Sequence, residues 1–174
     1  PEYNKMMKDL IAALKANGPR IKPKVRLLYT GGHADNPEFF DLLQQNDAHV
    51  VSDNTGFGTR AADVLIREDG DPLEAIIDYY FEEKPAATRQ MGTQVERMER
   101  LLDLVKQYKA DGVVASRLYM CDLWAFEHFL MRKRLHENNV PFLELEVDYT
   151  PEGQGQIKTR VQAFVESLAD RQTA

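Results

Sequence analysis

The residue whose chemistry stands out first is Cys121, the single cysteine of the chain. It comes just after the apolar run Gly112-Val113-Val114-Ala115 and is followed by Asp122 and Trp124. A cysteine entering a helix from a strand end feels the positive potential of the helix N-terminus, which favours the thiolate. A thiolate there suits a metal ligand or a nucleophile. The plainer alternative is a small buried hydrophobe, the commoner role of an isolated cysteine. A nucleophile also needs a base, and the sequence sets no histidine beside Cys121. His128 lies two helical turns on and is expected on the helix surface or at an interface. His33, His49, Cys121 and Asp122 lack metal-ligand spacing, so a closed zinc site is not expected. One cysteine also excludes an internal disulfide framework and an iron–sulfur or zinc site made of this chain's thiolates alone, which takes about four ligands.

Three further segments carry binding chemistry. Gly31-Gly32 follows a strand and precedes a helix, a place where backbone N–H groups can approach an anion. Neither a dinucleotide fingerprint nor a Walker lysine pattern accompanies it, and a tight strand-to-helix turn is the plainer reading. Thr55-Gly56-Phe57-Gly58-Thr59-Arg60 joins glycines, an aromatic tip and a guanidinium, a combination able to line a pocket for an acyl-CoA or a nucleotide. Its alternative is a connection with a solvated arginine. Thr159 and Arg160 are expected in the first turn of the last helix, pointing toward the strand ends. There Arg160 could hold a carboxylate or phosphate, or pair with a local acid such as Asp148 or Glu152.

These residues need elements to hold them. Met6, Met7, Leu10, Ile11 and Leu14 recur at helical spacing until Gly18-Pro19. Val25–Thr30 forms a short apolar strand, and Pro37–Leu43 a helix capped by Asn36. His49-Val50-Val51 gives a second strand. Asp71-Pro72 starts a helix with Leu73, Ile76, Ile77 and Tyr80 on one face. A long helix runs over Thr93–Tyr108, a third strand over Gly112–Ala115, and a further helix over Leu123–His136. Pro141–Val147 makes the fourth strand and Gln156–Leu168 the last helix. This alternation predicts an α/β doubly wound domain, Rossmann- or flavodoxin-like, with a mostly parallel four-stranded sheet and helices on both faces. In such sheets chemistry collects in loops at the carboxyl ends of strands.

The 174 residues suffice for one well-packed domain. Lys and Arg number 22 against 28 Asp and Glu, a net charge of −6. That balance argues against a nucleic-acid partner. No apolar run approaches a membrane span of about 20 residues, and no signal-peptide pattern opens the chain. A cytoplasmic setting is expected. The chain begins at Pro1 rather than Met and enters a helix at once. Residues 1–20 are expected to be a leading helix from a preceding domain or linker. Residues 21–174 are expected to be the carboxyl-terminal doubly wound domain of a larger subunit.

Together, Val50 to Arg60, Asp111 to Asp122 with its Cys-Asp pair, Asn139 to Asp148 and Gly155 to Phe164 resemble the carboxyl-terminal domain of the 2-hydroxyacyl-CoA dehydratase and benzoyl-CoA reductase family. The Cys-Asp element and Gln156-x-x-Thr159-Arg160-x-Gln162-Ala163-Phe164 are the most specific parts. The resemblance implies one half of a heterodimer of related subunits, each holding a 4Fe–4S cluster through three cysteines. By that match Cys121 is the carboxyl-terminal cluster ligand, and the other two belong to an amino-terminal domain. A separate ATP-hydrolysing iron–sulfur activator supplies the electron. In the dehydratases a ketyl radical then expels the hydroxyl of a 2-hydroxyacyl-CoA; in the reductases the electron goes toward an aromatic ring. Gly31, Gly32, Thr55, Gly58, Arg60 and Arg160 are candidates to line the substrate side, from their loop positions. The isolated domain is expected to be inactive. Two other functions stay open: a non-redox CoA- or nucleotide-binding module, and a subunit-docking module.

Overall fold

A computed structural model of the chain describes residues 2–18, 21–32, 36–45, 47–148 and 154–173. His33 and Glu152, named above, lie outside the described residues.

In chain order the elements are α1 (Glu2–Asn17), β1 (Val25–Gly31), α2 (Pro37–Leu43), β2 (Ala48–Asn54), α3 (Thr59–Ala62), α4 (Pro72–Asp78), a π-helical turn (Tyr79–Glu83), α5 (Gln94–Gln107), β3 (Gly112–Leu118), α6 (Asp122–Glu137), β4 (Phe142–Val147) and α7 (Gln154–Arg171). The four strands are all parallel, in the order β2-β1-β3-β4. The expected α/β doubly wound fold is the fold observed. Chain order changes direction at β1: β2 lies on one side and β3 on the other. The order therefore reverses between β1 and β3, and a switch point of this kind opens a crevice at the carboxyl ends of the strands beside it.

Each face of the sheet has its own core. Val25, Leu27, Tyr29, Val114 and Leu145 point to one side and meet Leu43 of α2 and Val161, Val165 and Leu168 of α7. Leu28, Val113 and Ala115 point to the other and meet Met98, Leu101, Leu102 and Val105 of α5 with Met131 and Leu135 of α6. Burying a leucine side chain of this kind contributes about 1.5–3 kcal/mol.

Local signals set the helix ends. Asn36 accepts from Glu38 N–H at 2.9 Å, with Pro37 at the first helical position. Asp71 caps α4 in the same way, accepting from Leu73 N–H and Glu74 N–H at 2.8 and 3.1 Å. Gly18 ends α1 at φ +69°, its N–H donating to the Leu14 carbonyl at 3.0 Å.

Four elements differ from the sequence expectation. β2 and β3 run longer, to Asn54 and Leu118, because ladder pairing with β1 and β4 continues past the apolar residues. α7 begins at Gln154, so Thr159 and Arg160 fall in its second turn rather than its first. The face of α4 that carries Leu73, Ile76 and Ile77 is exposed, and Ala75 and Tyr79 are buried instead. α1 has no buried residue.

Candidate functional site

The crevice at the carboxyl ends of β1 and β2 is a cavity of about 700 Å³. Five residues predicted from sequence line it: Gly31, Gly32, Thr55, Gly58 and Arg60. Tyr29, Asp53 and Trp124 also line it. Arg160 does not line it. Its Nη2 donates to the Glu144 carbonyl of the edge strand β4 at 2.7 Å, an otherwise open ladder position.

The β1 side is built by close backbone approach. Gly31 has φ +135°, and a Cβ there would stand 2.1 Å from the Ser116 carbonyl oxygen. Gly32 N–H donates to that same oxygen at 2.9 Å. This N–H therefore serves the sheet rather than an anion, which favours the tight-turn reading of Gly31-Gly32. Beneath them Tyr29 shares a hydrogen bond with Ser116 and packs edge-on against Phe39 and Phe40. Burial pushes the Tyr29 hydroxyl up to about 12, so it stays protonated across physiological pH.

Asp53 organises the β2 side. Its Oδ1 accepts from Thr55 N–H at 2.9 Å and from the Thr55 hydroxyl at 2.6 Å; its Oδ2 accepts from the Thr59 hydroxyl at 2.8 Å. Thr59 N–H points between the two oxygens, at 3.2 and 3.3 Å. Burial would raise the Asp53 pKa, but the bonds from Thr55 and Thr59 outweigh it and hold the carboxyl below its ordinary value. The loop can wrap the carboxylate this tightly because residue 58 lacks a side chain. A Cβ there would be 2.0 Å from Asp53 Oδ1. The spacing Asp53-x-Thr55-x-x-x-Thr59 is an Asx-turn pattern visible in the sequence, though its role as the loop's anchor was not drawn from it.

Arg60 leaves this loop as a half-buried guanidinium. Burial first, then the charges of Arg100 and Arg97, pull its pKa down, against the weaker opposing pull of Glu127 and Asp53. Arg97 is matched by a buried bidentate bond to Glu127, at 2.7 and 2.8 Å. Its Nη1 also donates to the Gln90 and Ala87 carbonyls at 3.1 and 3.3 Å, tying the 84–93 segment to α5 and α6. Arg100 pairs with Asp63. Arg60 itself has no hydrogen bond or ion pair to any described residue.

Cys121 occupies the N-cap of the 16-residue α6, where its sulfur caps no backbone N–H. It follows Met120, which has φ +61°. Cys121 is half-buried and does not line the crevice, but Trp124, one helical turn later, does. Among the described residues no group of three His, Cys, Asp or Glu side chains could hold a metal ion. Cys121 is the single cysteine of the chain, so these residues offer a cluster at most one thiol ligand.

His128 corrects the sequence expectation. It is wholly buried beneath α6, not on the helix surface. The ring sits edge-on to Trp124 and Phe142, with Nδ1 3.4 Å from Glu144 Oε1. Burial lowers its pKa more than Glu144 raises it. Glu144 in turn pairs with Arg132 and lies 3.6 Å from Arg117, and its carboxyl is held low against the cost of burial. Periodicity gives no hint of this network, because the partners come from α6, β3 and β4.

A family model described as "2-hydroxyglutaryl-CoA dehydratase, D-component" matches residues 1–168. The chain is 30 % identical to the "Putative dehydratase subunit YjiM" of Escherichia coli (strain K12), over 87 % of this chain and 39 % of that protein. It is 25 % identical to the (R)-phenyllactyl-CoA dehydratase beta subunit of Clostridium sporogenes, over 96 % and 44 %. It is 21 % identical to a benzoyl-CoA reductase subunit of Thauera aromatica, over 96 % and 44 %. The chain thus spans less than half the length of these relatives. No described helix is long and apolar enough to cross a membrane. With a match that runs through both the crevice and Cys121, the chain belongs to the 2-hydroxyglutaryl-CoA dehydratase D-component family.

Proposed function

We propose that this chain is the cluster-bearing part of a 2-hydroxyacyl-CoA dehydratase-type subunit, working in the elimination of water from a 2-hydroxyacyl-CoA. What supports this is the family match over residues 1–168, which takes in the crevice and Cys121 alike. In this proposal Cys121 contributes one thiolate to a 4Fe–4S cluster. The remaining ligands come from outside these 174 residues. A cluster of this kind supplies low-potential single electrons, delivered by a separate ATP-hydrolysing activator. The chain's own residues hold the thiolate at the α6 N-terminus and present a crevice of about 700 Å³ to the acyl-CoA. The enzyme is completed by a second, related subunit, and the setting is cytoplasmic.

The test is iron and acid-labile sulfide in the anaerobically purified full-length subunit, with and without Cys121→Ser. The expected result is loss of most cluster iron and of the EPR signal of the reduced protein. Unchanged iron would rule out Cys121 as a ligand and favour a non-redox CoA-binding or docking role. Assaying 2-hydroxyacyl-CoA dehydration against aromatic-ring reduction separates the dehydratase from the benzoyl-CoA reductase alternative.

A further inference from the structure

Arg60 lines a second, smaller cavity as well as the crevice. This one measures about 200 Å³ and is bounded by Gly56, Arg60, Tyr80, Lys84, Pro85, Ala87 and Gln90. Gly56 and Arg60 line both cavities, so the two are neighbours. Its lining holds two cations and no carboxylate. Lys84 Nζ lies 4.8 Å from the centre of the Tyr80 ring and makes no ion pair with any described residue. Arg60 likewise has no partner there.

Arg100 is the charged neighbour that acts most strongly on Arg60; it pairs with Asp63, but two of its donors, Nε and Nη2, are buried without a hydrogen-bond partner among the described residues. Buried unpaired donors are costly. The carboxylates near Arg60 are engaged elsewhere: Glu127 by Arg97, and Asp53 by Thr55 and Thr59. The cavity wall is also held in place. Arg97 fixes Ala87 and Gln90 through their carbonyls, and Gln90 Oε1 accepts from Ala87 N–H at 2.6 Å. That leaves the Gln90 amide N–H₂ as a further donor. Gly56 leaves room for the guanidinium: a Cβ on it would stand 2.9 Å from Arg60 Nη2.

We infer that the Arg60–Lys84 cavity is a phosphate subsite, taking the diphosphate of a nucleotide-tailed ligand whose remainder lies in the larger crevice. A planar fork and a mobile ammonium together suit a tetrahedral oxyanion bearing several charges. The two available sources of a diphosphate are a CoA ester and a free nucleotide. Only the choice of the CoA ester rests on the function proposed above; the anion site itself does not.

The experiment is isothermal titration of the purified chain with inorganic pyrophosphate, alongside Arg60→Gln, Lys84→Gln and the remote surface control Lys158→Gln. Circular dichroism checks folding. Pyrophosphate is expected to bind the unaltered chain and to shift the amide NMR signals of Gly56, Ala87 and Gln90. Each of the two cavity variants should weaken binding at least about fivefold, and the control should not. No binding, unmoved Gly56, Ala87 and Gln90 signals, or cavity variants that bind as well as the control would each overturn the subsite. Lactate binding as tightly as pyrophosphate would overturn its assignment to phosphate. Coenzyme A and ADP identify the source by which displaces pyrophosphate more strongly. If pyrophosphate binds through both cations and coenzyme A fails to compete, the subsite stands and the acyl-CoA role of the crevice falls. If coenzyme A binds with no loss in either variant, the subsite falls and the acyl-CoA role stands.

Discussion

The two faces of the sheet are held by different forces. The face under α2 and α7 is hydrocarbon and aromatic rings, and its one buried polar contact joins the neutral Tyr29 and Ser116 hydroxyls. The face under α5 and α6 is also apolar at its centre, yet Arg97, Glu127 and His128, the buried basic and acidic side chains among the described residues, all come from those two helices. Burying charge costs free energy that packing alone does not return. On the second face that cost is accompanied by positioning: Arg97 and Glu127 fix the wall of the cationic cavity, and His128 backs Trp124 at the crevice. Both faces lend residues to the crevice, Tyr29 from the first and Trp124 from the second, but only the second does so with buried charge.

The sharpest way to break this contrast is Glu127→Ala. It leaves the Arg97 guanidinium buried without its carboxylate and should cost about 3–5 kcal/mol in urea unfolding. Replacing both partners, Arg97→Met with Glu127→Leu, should recover most of that stability but loosen the 84–93 segment, read as faster amide exchange at Ala87 and Gln90. Recovery without faster exchange would mean the pair does not position that wall.

On the other face, Leu145→Ala should cost about 2–5 kcal/mol through the cavity it leaves. The loss should be the same at pH 5 and pH 7, since the titratable side chain in that core, Tyr29, stays protonated throughout that range. A pH-dependent loss would show that the two faces are coupled.

The stability of the whole chain should itself fall with acidity, in two stages. The pKa of His128 is lower folded than unfolded, so the unfolded chain binds the proton first as pH drops through about 6.5. Stability therefore declines below that value, by at most about 1.4 kcal/mol per pH unit from this one group. Glu144 and Asp53 have lowered folded values, so what they contribute is present above 4.5 and 3.8 respectively and is lost below them. His128→Phe should flatten the first stage and, because His128 helps Arg132 hold the Glu144 carboxyl low, weaken the Glu144 part of the second while leaving the Asp53 part. Denaturant midpoints measured from pH 8 to pH 3 check both.

The smallest effect is expected in the β2 loop. Thr59→Val removes the hydroxyl bonded to Asp53 Oδ2 and should cost about 1 kcal/mol. It should also move the Asp53 carboxyl pKa upward, followed by NMR titration. An unmoved pKa would show that the loop is not held through that carboxylate.

Much of the fold was legible in the residues. Short apolar runs alternating with helical periodicity gave four parallel strands and their covering helices, and Asn36-Pro37 and Asp71-Pro72 marked helix starts. Strand ends were less legible, because ladder pairing extends β2 and β3 beyond their apolar residues to Asn54 and Leu118. The apolar stripe of α4 was legible as a helix but not as an exposed one. Strand-end position picked out Gly31, Gly32, Thr55, Gly58 and Arg60, which do share one crevice, because the loops leaving the carboxyl ends of the adjacent parallel strands β1 and β2 lie side by side. Arg160 shows the limit of that rule. It follows an edge strand, and its side chain runs along the edge to the Glu144 carbonyl.

What the sequence by itself determined is therefore the set of elements, their parallel arrangement and Cys121 at a helix entrance. Each depends on local spacing: period two or near-continuous apolar runs for strands, period 3.6 for helices, a short polar residue for a cap. What only the tertiary structure decided is which charges meet. Arg97 finds Glu127 thirty residues away, His128 is buried against Glu144, and Arg60 and Lys84 face one cavity from segments 24 residues apart in the chain. Ion pairs and cavities depend on distances across space, and spacing along the chain does not encode those until the sheet has brought the segments together.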